Sequence, residues 1–266
     1  MRLQVGCRVT AKSACRASLR VAVVLAVVMA AAPPHAEERR CARAENSAMP
    51  DIKALPRLAR KIASGESIRI VAFGSSSTEG TPDIPRDAIF PAVLGRELAR
   101  ELLTPVEVIN KGKGGENIYN MVARIERDVV SQRPDLVVWQ LGANDVLQMD
   151  GVAGPIAQMQ VALDAFGKLG MPVVLVDLQA APMMDKDKDT PVMQAAIEQA
   201  GTRTGVLHFH RQALMKRLIE THTVEMPELV GQDGLHMTAL GHFCTGQLLA
   251  RQIARASFMR RAEIQR

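Results

Sequence analysis

"IRIVAFGSSSTEG", residues 68–80, is the stretch from which the fold is read. Its first six residues form a short, nearly continuous apolar run rich in β-branched side chains, as in a strand buried on both faces. The run ends at Gly74, and Ser75, Ser76 and Ser77 follow before Gly80. Four more runs of the same kind occur: "VEVIN" (106–110), "DLVVWQL" (135–141), "PVVLVDL" (172–178) and "VLHF" (206–209). Amphipathic stripes lie between them. Phe90, Leu94, Leu98 and Leu102 recur every four residues, and Ile118, Met121, Val122, Ile125 and Val129 make the next stripe. Helical patterns also cover about 154–168, 190–203, 211–221 and 239–257. Strand alternating with helix predicts an α/β fold with right-handed crossovers and a parallel sheet covered on both sides. Ligands bind such sheets beyond the carboxyl ends of the strands. The serine cluster therefore stands where chemistry is expected, although Gly-Ser-Ser is also ordinary turn composition.

The chain has 266 residues, enough for one sizeable domain. Residues 1–20 carry Arg2, Arg8, Lys12, Arg16 and Arg20 and no acid, and "VAVVLAVVMAAA" (21–32) follows. A basic start, a short apolar run and small residues predict a secretory signal peptide over 1–36, cleaved after Ala36. As a helix that run reaches only about 18 Å, short of a ~30 Å hydrocarbon core. The expectation is a secreted or periplasmic protein with no membrane span in the mature chain. Of 33 basic residues, five leave with the signal, and 28 remain against 28 acidic ones. A neutral mature chain gives no support to nucleic-acid or anionic-membrane binding. Residues 37–65 are charged, with scattered apolar positions, and read as an N-terminal arm or a short helix leading into the domain; 66–258 hold the domain and 259–266 a solvated tail. Cys41 and Cys244 survive export to an oxidising compartment, where a disulfide persists. Cys244 also falls on the apolar stripe Leu240–Cys244–Leu248, where a free thiol acts as a small hydrophobe.

A serine hydroxyl is a weak nucleophile until a base takes its proton. His236 stands in "QDGLHMTALGH" (232–242), with Asp233 three residues before it and Thr238 placed to cap the next helix. A tight turn at that spacing aims the carboxylate at one ring nitrogen and leaves the other outward as a base. A purely structural turn fits the same residues. Acyl transfer also needs donors where negative charge develops. After the second strand, the glycines of "NKGKGGENI" (110–118) let the backbone approach a ligand and open a helix. After the third, "QLGANDV" (140–146) offers the side-chain N–H groups of Asn144. Three consecutive strands thus end in polar, glycine-bearing loops on one edge.

This ordered set resembles the SGNH (GDSL-type) hydrolases over roughly residues 66–258: serine after strand one, Gly-x-x-Gly after strand two, Gly-x-Asn-Asp after strand three and Asp-x-x-His near the end. Matched by position, "GSSSTEG" makes Ser76 the nucleophile, with Ser75 in the slot the family usually gives to aspartate. The resemblance implies Asp233 and His236 as the other triad members, and an oxyanion hole from the Ser76 and Gly115 amides and the Asn144 side chain. It implies a flavodoxin-like three-layer α/β/α sandwich whose five-stranded parallel sheet has the order 2-1-3-4-5. The implied activity is a serine esterase acting on small-molecule carboxylic esters (small acyl, lipid or acylated-sugar) through an acyl-enzyme, without cofactor or metal. An O-acyltransferase passing the acyl group to a carbohydrate hydroxyl would use the same residues; a non-catalytic binding module is the other alternative.

Other signals are weaker. Thr78 stands where Gly-x-Ser-x-Gly would need its second glycine, and "GKGGEN" has neither the spacing nor the ending of a P-loop. "HFH" puts His208 and His210 on one face of a strand, a metal-type pair with no third ligand evident nearby. His222 and His242 read as surface or helix-start residues. Among fourteen methionines, Met149, Met183, Met184 and Met226 fall in loops expected around the site, as acyl-pocket lining or as loop packing. One tryptophan, one tyrosine and six phenylalanines argue against an extended aromatic platform for polysaccharide.

Overall fold

The computed structural model describes residues 35–50 and 52–259. The predicted signal peptide lies almost wholly outside the described residues, as does the tail beyond Met259; the expected cleavage point after Ala36 falls within the first described helix, α1 (His35–Ala42).

The five apolar runs form the five strands: β1 (Ile68–Gly74), β2 (Val106–Gly112), β3 (Leu136–Gln140), β4 (Val173–Val176) and β5 (Val206–Phe209). They make one sheet of order β2-β1-β3-β4-β5, every pairing parallel, with helices on both sides. This is the three-layer flavodoxin-like arrangement with the implied strand order. In register, Ile70 pairs with Val108 on one side and Leu136 on the other, so β1 is central and every residue but Arg69 is buried. β2 departs from the expected burial on both faces: it is an edge strand, and its residues are half-buried or exposed.

Residues 35–65 do not stand apart from the domain. They form α1, α2 (Glu45–Ala48) and α3 (Pro56–Ala63), and Cys41, Ala44, Ala48, Leu55 and Leu58 are buried in the main core. This segment is tied to the chain just after β5, where the His210 amide donates to the Ala48 carbonyl at 2.8 Å, and to the helix Ala239–Phe258, where Leu55 N–H donates to the Ala256 carbonyl at 2.8 Å. The last helix in sequence, α14 (Ala239–Phe258), carries Cys244, which is disulfide-bonded to Cys41 across 203 residues. Of the two readings of the cysteines the bridge is the one found, because α1 packs on α14.

The remaining helices follow the crossovers: α4 (Ser76–Glu79), α5 (Phe90–Leu102), α6 (Ile118–Val122), α7 (Ile125–Asp128), α8 (Ala143–Gln148), α9 (Ala153–Lys168), α10 (Pro182–Asp185), α11 (Thr190–Gly201), α12 (Arg211–Glu220) and α13 (Met226–Leu229). α5 packs on α14 and β2. The α9 side chain Phe166 packs edge-on against Trp139 of β3, ring centroids 6.0 Å apart, and Trp139 lies beside Phe73 of β1. The stripe from Ile118 to Val129 predicts a single helix, yet α6 and α7 are separate. Arg124 sits at the break, and its guanidinium turns inward to the Gly74 and Lys111 carbonyls and to Glu116.

Candidate active site

β1 ends at Gly74, and the chain turns at once into the four-residue helix α4. Gln140, the last residue of β3, holds this turn. Its Oε1 accepts from the Ser75 amide (3.1 Å), the Ser75 hydroxyl (3.2 Å) and the Thr78 hydroxyl (3.0 Å). Ser75 and Ser77 are 3% and 4% exposed, whereas Ser76 is only half-buried. Of the three serines, Ser76 is therefore the accessible one. Its Oγ lies 2.8 Å from Nε2 of His236.

His236 stands in the turn between α13 and α14. The turn is closed by a bridge between Val230 and Met237 and by the Gly231 amide donating to the His236 carbonyl at 2.8 Å. Gly234 takes φ +69, a backbone region that glycine enters freely. Asp233 Oδ2 meets His236 Nδ1 at 2.5 Å, while Oδ1 accepts from the amides of Leu235 (2.9 Å) and His236 (3.0 Å). Partial burial pulls the Asp233 carboxyl up, but those two amides and the imidazole outweigh it and hold the group below its ordinary value. A proton held on Nδ1 by Asp233 leaves Nε2 free to accept from the Ser76 hydroxyl. Two further contacts steady the turn. Thr238 caps α14 by accepting from Gly241, and Gln179 donates to the Leu235 carbonyl at 3.2 Å. The buried Arg211 donates to Gln179 Oε1 at 2.7 Å from the other side.

The loop after β2 comes up against this serine. A Cβ added at Gly114 would lie 3.9 Å from Ser76 Cβ, and the Gly114 amide donates to Glu79 at 2.7 Å. The next residue, Gly115, has φ +75 and open space around it. Among the described residues, neither the Gly115 amide nor the Ser76 amide at the start of α4 has an acceptor. Asn144, in the first turn of α8, donates through Nδ2 to the Glu116 carbonyl at 2.8 Å, which orients the amide and leaves its second N–H. The adjacent Asp145 is fully buried and accepts from the Ile118 amide at 2.9 Å. Burial raises its carboxyl to about 6, against the pull of the Ile118 amide. The three loops predicted to share one edge are thus physically linked, Ser76 to Gly114 and Glu116 to Asn144.

Several supporting residues escape a reading of motifs alone. Arg124 is 6% exposed, pairs with Glu116 at 2.5 Å, and lies 4.3 Å above the Phe73 ring. Its only sequence signal is a charge interrupting an apolar stripe. The one sequence signal of Gln140 is a polar side chain near the end of the apolar run "DLVVWQL". His242 is a helix-start residue but is 2% exposed, not at the surface. Its Nδ1 accepts from the Phe90 amide, and burial, with Arg211 and His236 nearby, lowers the imidazole to about 4. His222 is exposed. Of the loop methionines, Met184 is core, Met226 packs partly buried on the core, and Met149 receives a weak contact from Asn117. Only Met183, 41% exposed, stands against the acid–histidine turn, beside Gly234. A groove of about 370 Å³ runs next to His236, walled by Thr81, Asp83, Ile84 and Gln232.

The family model described as "Non-GDSL lipase-like family" matches residues 40–258. An acetylxylan esterase of Geobacillus stearothermophilus is 24% identical over 162 residues, 56% of this chain and 72% of that protein. An arylesterase of Vibrio mimicus is 25% identical over 174 residues, 65% of this chain and 82% of that protein. Among solved structures, a two-domain esterase active on acetylated mannans superposes with a TM-score of 0.67 at 17% identity. The match covers 81% of this chain and 57% of that one, which establishes likeness of fold.

Proposed function

The chain belongs to the Non-GDSL lipase-like family, and from that premise we propose that it is a serine esterase hydrolysing carboxylic esters, with Ser76, His236 and Asp233 as its triad. The observation that carries this is the unbroken chain of short contacts from Ser76 Oγ to His236 Nε2 (2.8 Å) and from His236 Nδ1 to Asp233 (2.5 Å). His236 takes the Ser76 proton as Oγ attacks the ester carbonyl carbon. The carbonyl π electrons move to oxygen, where the Ser76 and Gly115 amides and the Asn144 side chain donate to the oxyanion. Collapse expels the alcohol, which leaves with the proton from His236. Water, deprotonated by the same imidazole, then attacks the acyl-enzyme and releases the acid and free Ser76.

Small acyl groups on carbohydrate are the substrate class we favour. Two similar proteins are named for acetylxylan and acetylated mannans, and the groove beside His236 carries hydroxyl, amide and carboxylate groups from Thr81, Gln232 and Asp83. The same proposal places the protein outside the cytoplasm, supported by its basic-then-apolar start and by the Cys41–Cys244 disulfide. Labelling with a fluorophosphonate followed by peptide mapping tests the triad. Modification at Ser76 that is lost in His236→Ala is expected; modification at Ser75 or Ser77 overturns the assignment. Release of free acetate from acetylated xylo-oligosaccharide, rather than an acylated acceptor, tests the hydrolytic reading.

A further inference from the structure

We propose that Asp177, His208 and His210 form a binding site for a divalent transition metal of the zinc class, distinct in its residues from the proposed esterase triad. The sequence offers the two histidines at alternate positions, and the fold supplies the third ligand. β4 and β5 are neighbours, and the chain leaving β4 brings Asp177 against His208. One ligand atom from each of the three residues lies within 4.8 Å of the others. Nitrogen and oxygen ligands held at about 2.0–2.1 Å from a tetrahedral ion stand roughly 3.3 Å apart. Small rotations therefore close the set around one ion. The two imidazole rings already lie together, centroids 3.7 Å apart and tilted by 36°. Two imidazoles and a carboxylate are a donor set that suits zinc better than magnesium or calcium.

Asp177 is held as a metal-bound carboxylate usually is. It is fully buried; Oδ1 accepts from the Gln212 amide at 3.0 Å, while Oδ2 faces His208 Nε2 at 3.0 Å and the Gln194 side chain. Gln194 is the donor an arriving ion displaces from Oδ2. The nearby cations are turned elsewhere: Arg211 to the Asp177 main-chain carbonyl, and Lys53 to the carbonyls of Gly201, Arg203 and Val206. Their charge still opposes a second cation, so moderate affinity is expected. A cavity of about 370 Å³ bordered by Ile52, Lys53, Glu198, His208 and His210 provides an entry path and room for a water as fourth ligand, with Lys53 the cation an ion must pass.

Zn²⁺ titrated calorimetrically into untagged, chelator-treated full-length protein is the test. One ion per chain and a rise in melting temperature are expected, together with at least about tenfold weaker binding in His210→Ala. His208→Ala should abolish binding, but it removes a buried side chain, so the half-buried His210 carries the decision. His236→Ala should bind as the parent does. Absence of binding, affinity unchanged in His210→Ala, or an ion lost only in His236→Ala would each overturn the proposal. Ester hydrolysis is not the readout, so the result stands apart from the triad's own test.

Discussion

Gln140 shows how much of the site depends on one side chain outside any motif. Its single carbonyl oxygen serves three donors of the serine turn. Gln140→Met keeps the volume but leaves the Ser75 amide and two hydroxyls buried without an acceptor, at about 1–3 kcal/mol for each group that finds no other partner. We expect a stability loss on the order of 3 kcal/mol in urea unfolding and a fall in kcat exceeding the rise in KM, because the turn that carries Ser76 loosens. A kcat unchanged in a destabilised variant would make Gln140 structural only. Two buried titratable groups give a second prediction. Asp145, raised to about 6, contributes stability present below the ordinary aspartate range and lost as pH rises toward 6. His242, lowered to about 4, contributes stability present above 6.5 and lost as pH falls toward 4. The slopes oppose one another between pH 4 and 6, and each is worth on the order of 3 kcal/mol across its window. Asp145→Asn retains an acceptor for the Ile118 amide and removes one slope. Its melting temperature should climb with pH from 4 to 6.5 more steeply than that of the parent; parallel profiles would contradict the assignment.

At the scale of elements, the site exists because two loops nearly touch. The end of β2 passes so close to α4 that a Cβ at Gly112 would meet the Glu79 amide nitrogen at 2.1 Å and the Thr78 carbonyl carbon at 2.5 Å. Asn110 fastens the same approach, donating to the Thr78 carbonyl (2.8 Å) and accepting from Gly112 (2.8 Å). Gly112→Ala must push β2 and α4 apart through rigid backbone, so we expect loss of activity beyond about tenfold with a stability cost of about 1–3 kcal/mol. Gly115→Ala strains φ but meets no neighbour, and should cost less stability. Measuring both variants separates crowding from strain. The strands themselves were legible, because a buried strand leaves a short β-branched run whatever it packs against. The helix from 118 to 129 was not: its apolar stripe is real, but the pull on Arg124 comes from Gly74 at the end of β1, from Lys111 in β2 and from Glu116 in the stretch after β2.

Across the whole molecule, the disulfide joins the beginning of the described chain to its last helix, and residues 35–65 are fastened into the core by it. Cys41→Ser, or reduction, releases a closed loop of 203 residues and should cost about 2–5 kcal/mol. The loss should appear as a lower urea midpoint, with ester hydrolysis retained below it. Identical midpoints for oxidised and reduced protein would count against the bridge. Among the described residues no helix is long and apolar enough to cross a membrane. The sequence by itself determined the five strand runs, their alternation with helices and the Asp233–His236 pair. Each of these is encoded by a local period or by a turn of three residues. Only the tertiary structure decided which serine is accessible, that Ser76 meets a histidine 160 positions away, that Cys41 reaches Cys244, and that Asp177 lies with His208 of β5 and His210 just after it. Such meetings depend on how crossovers pack whole layers against the sheet, and no local pattern records a distance between segments that are far apart along the chain.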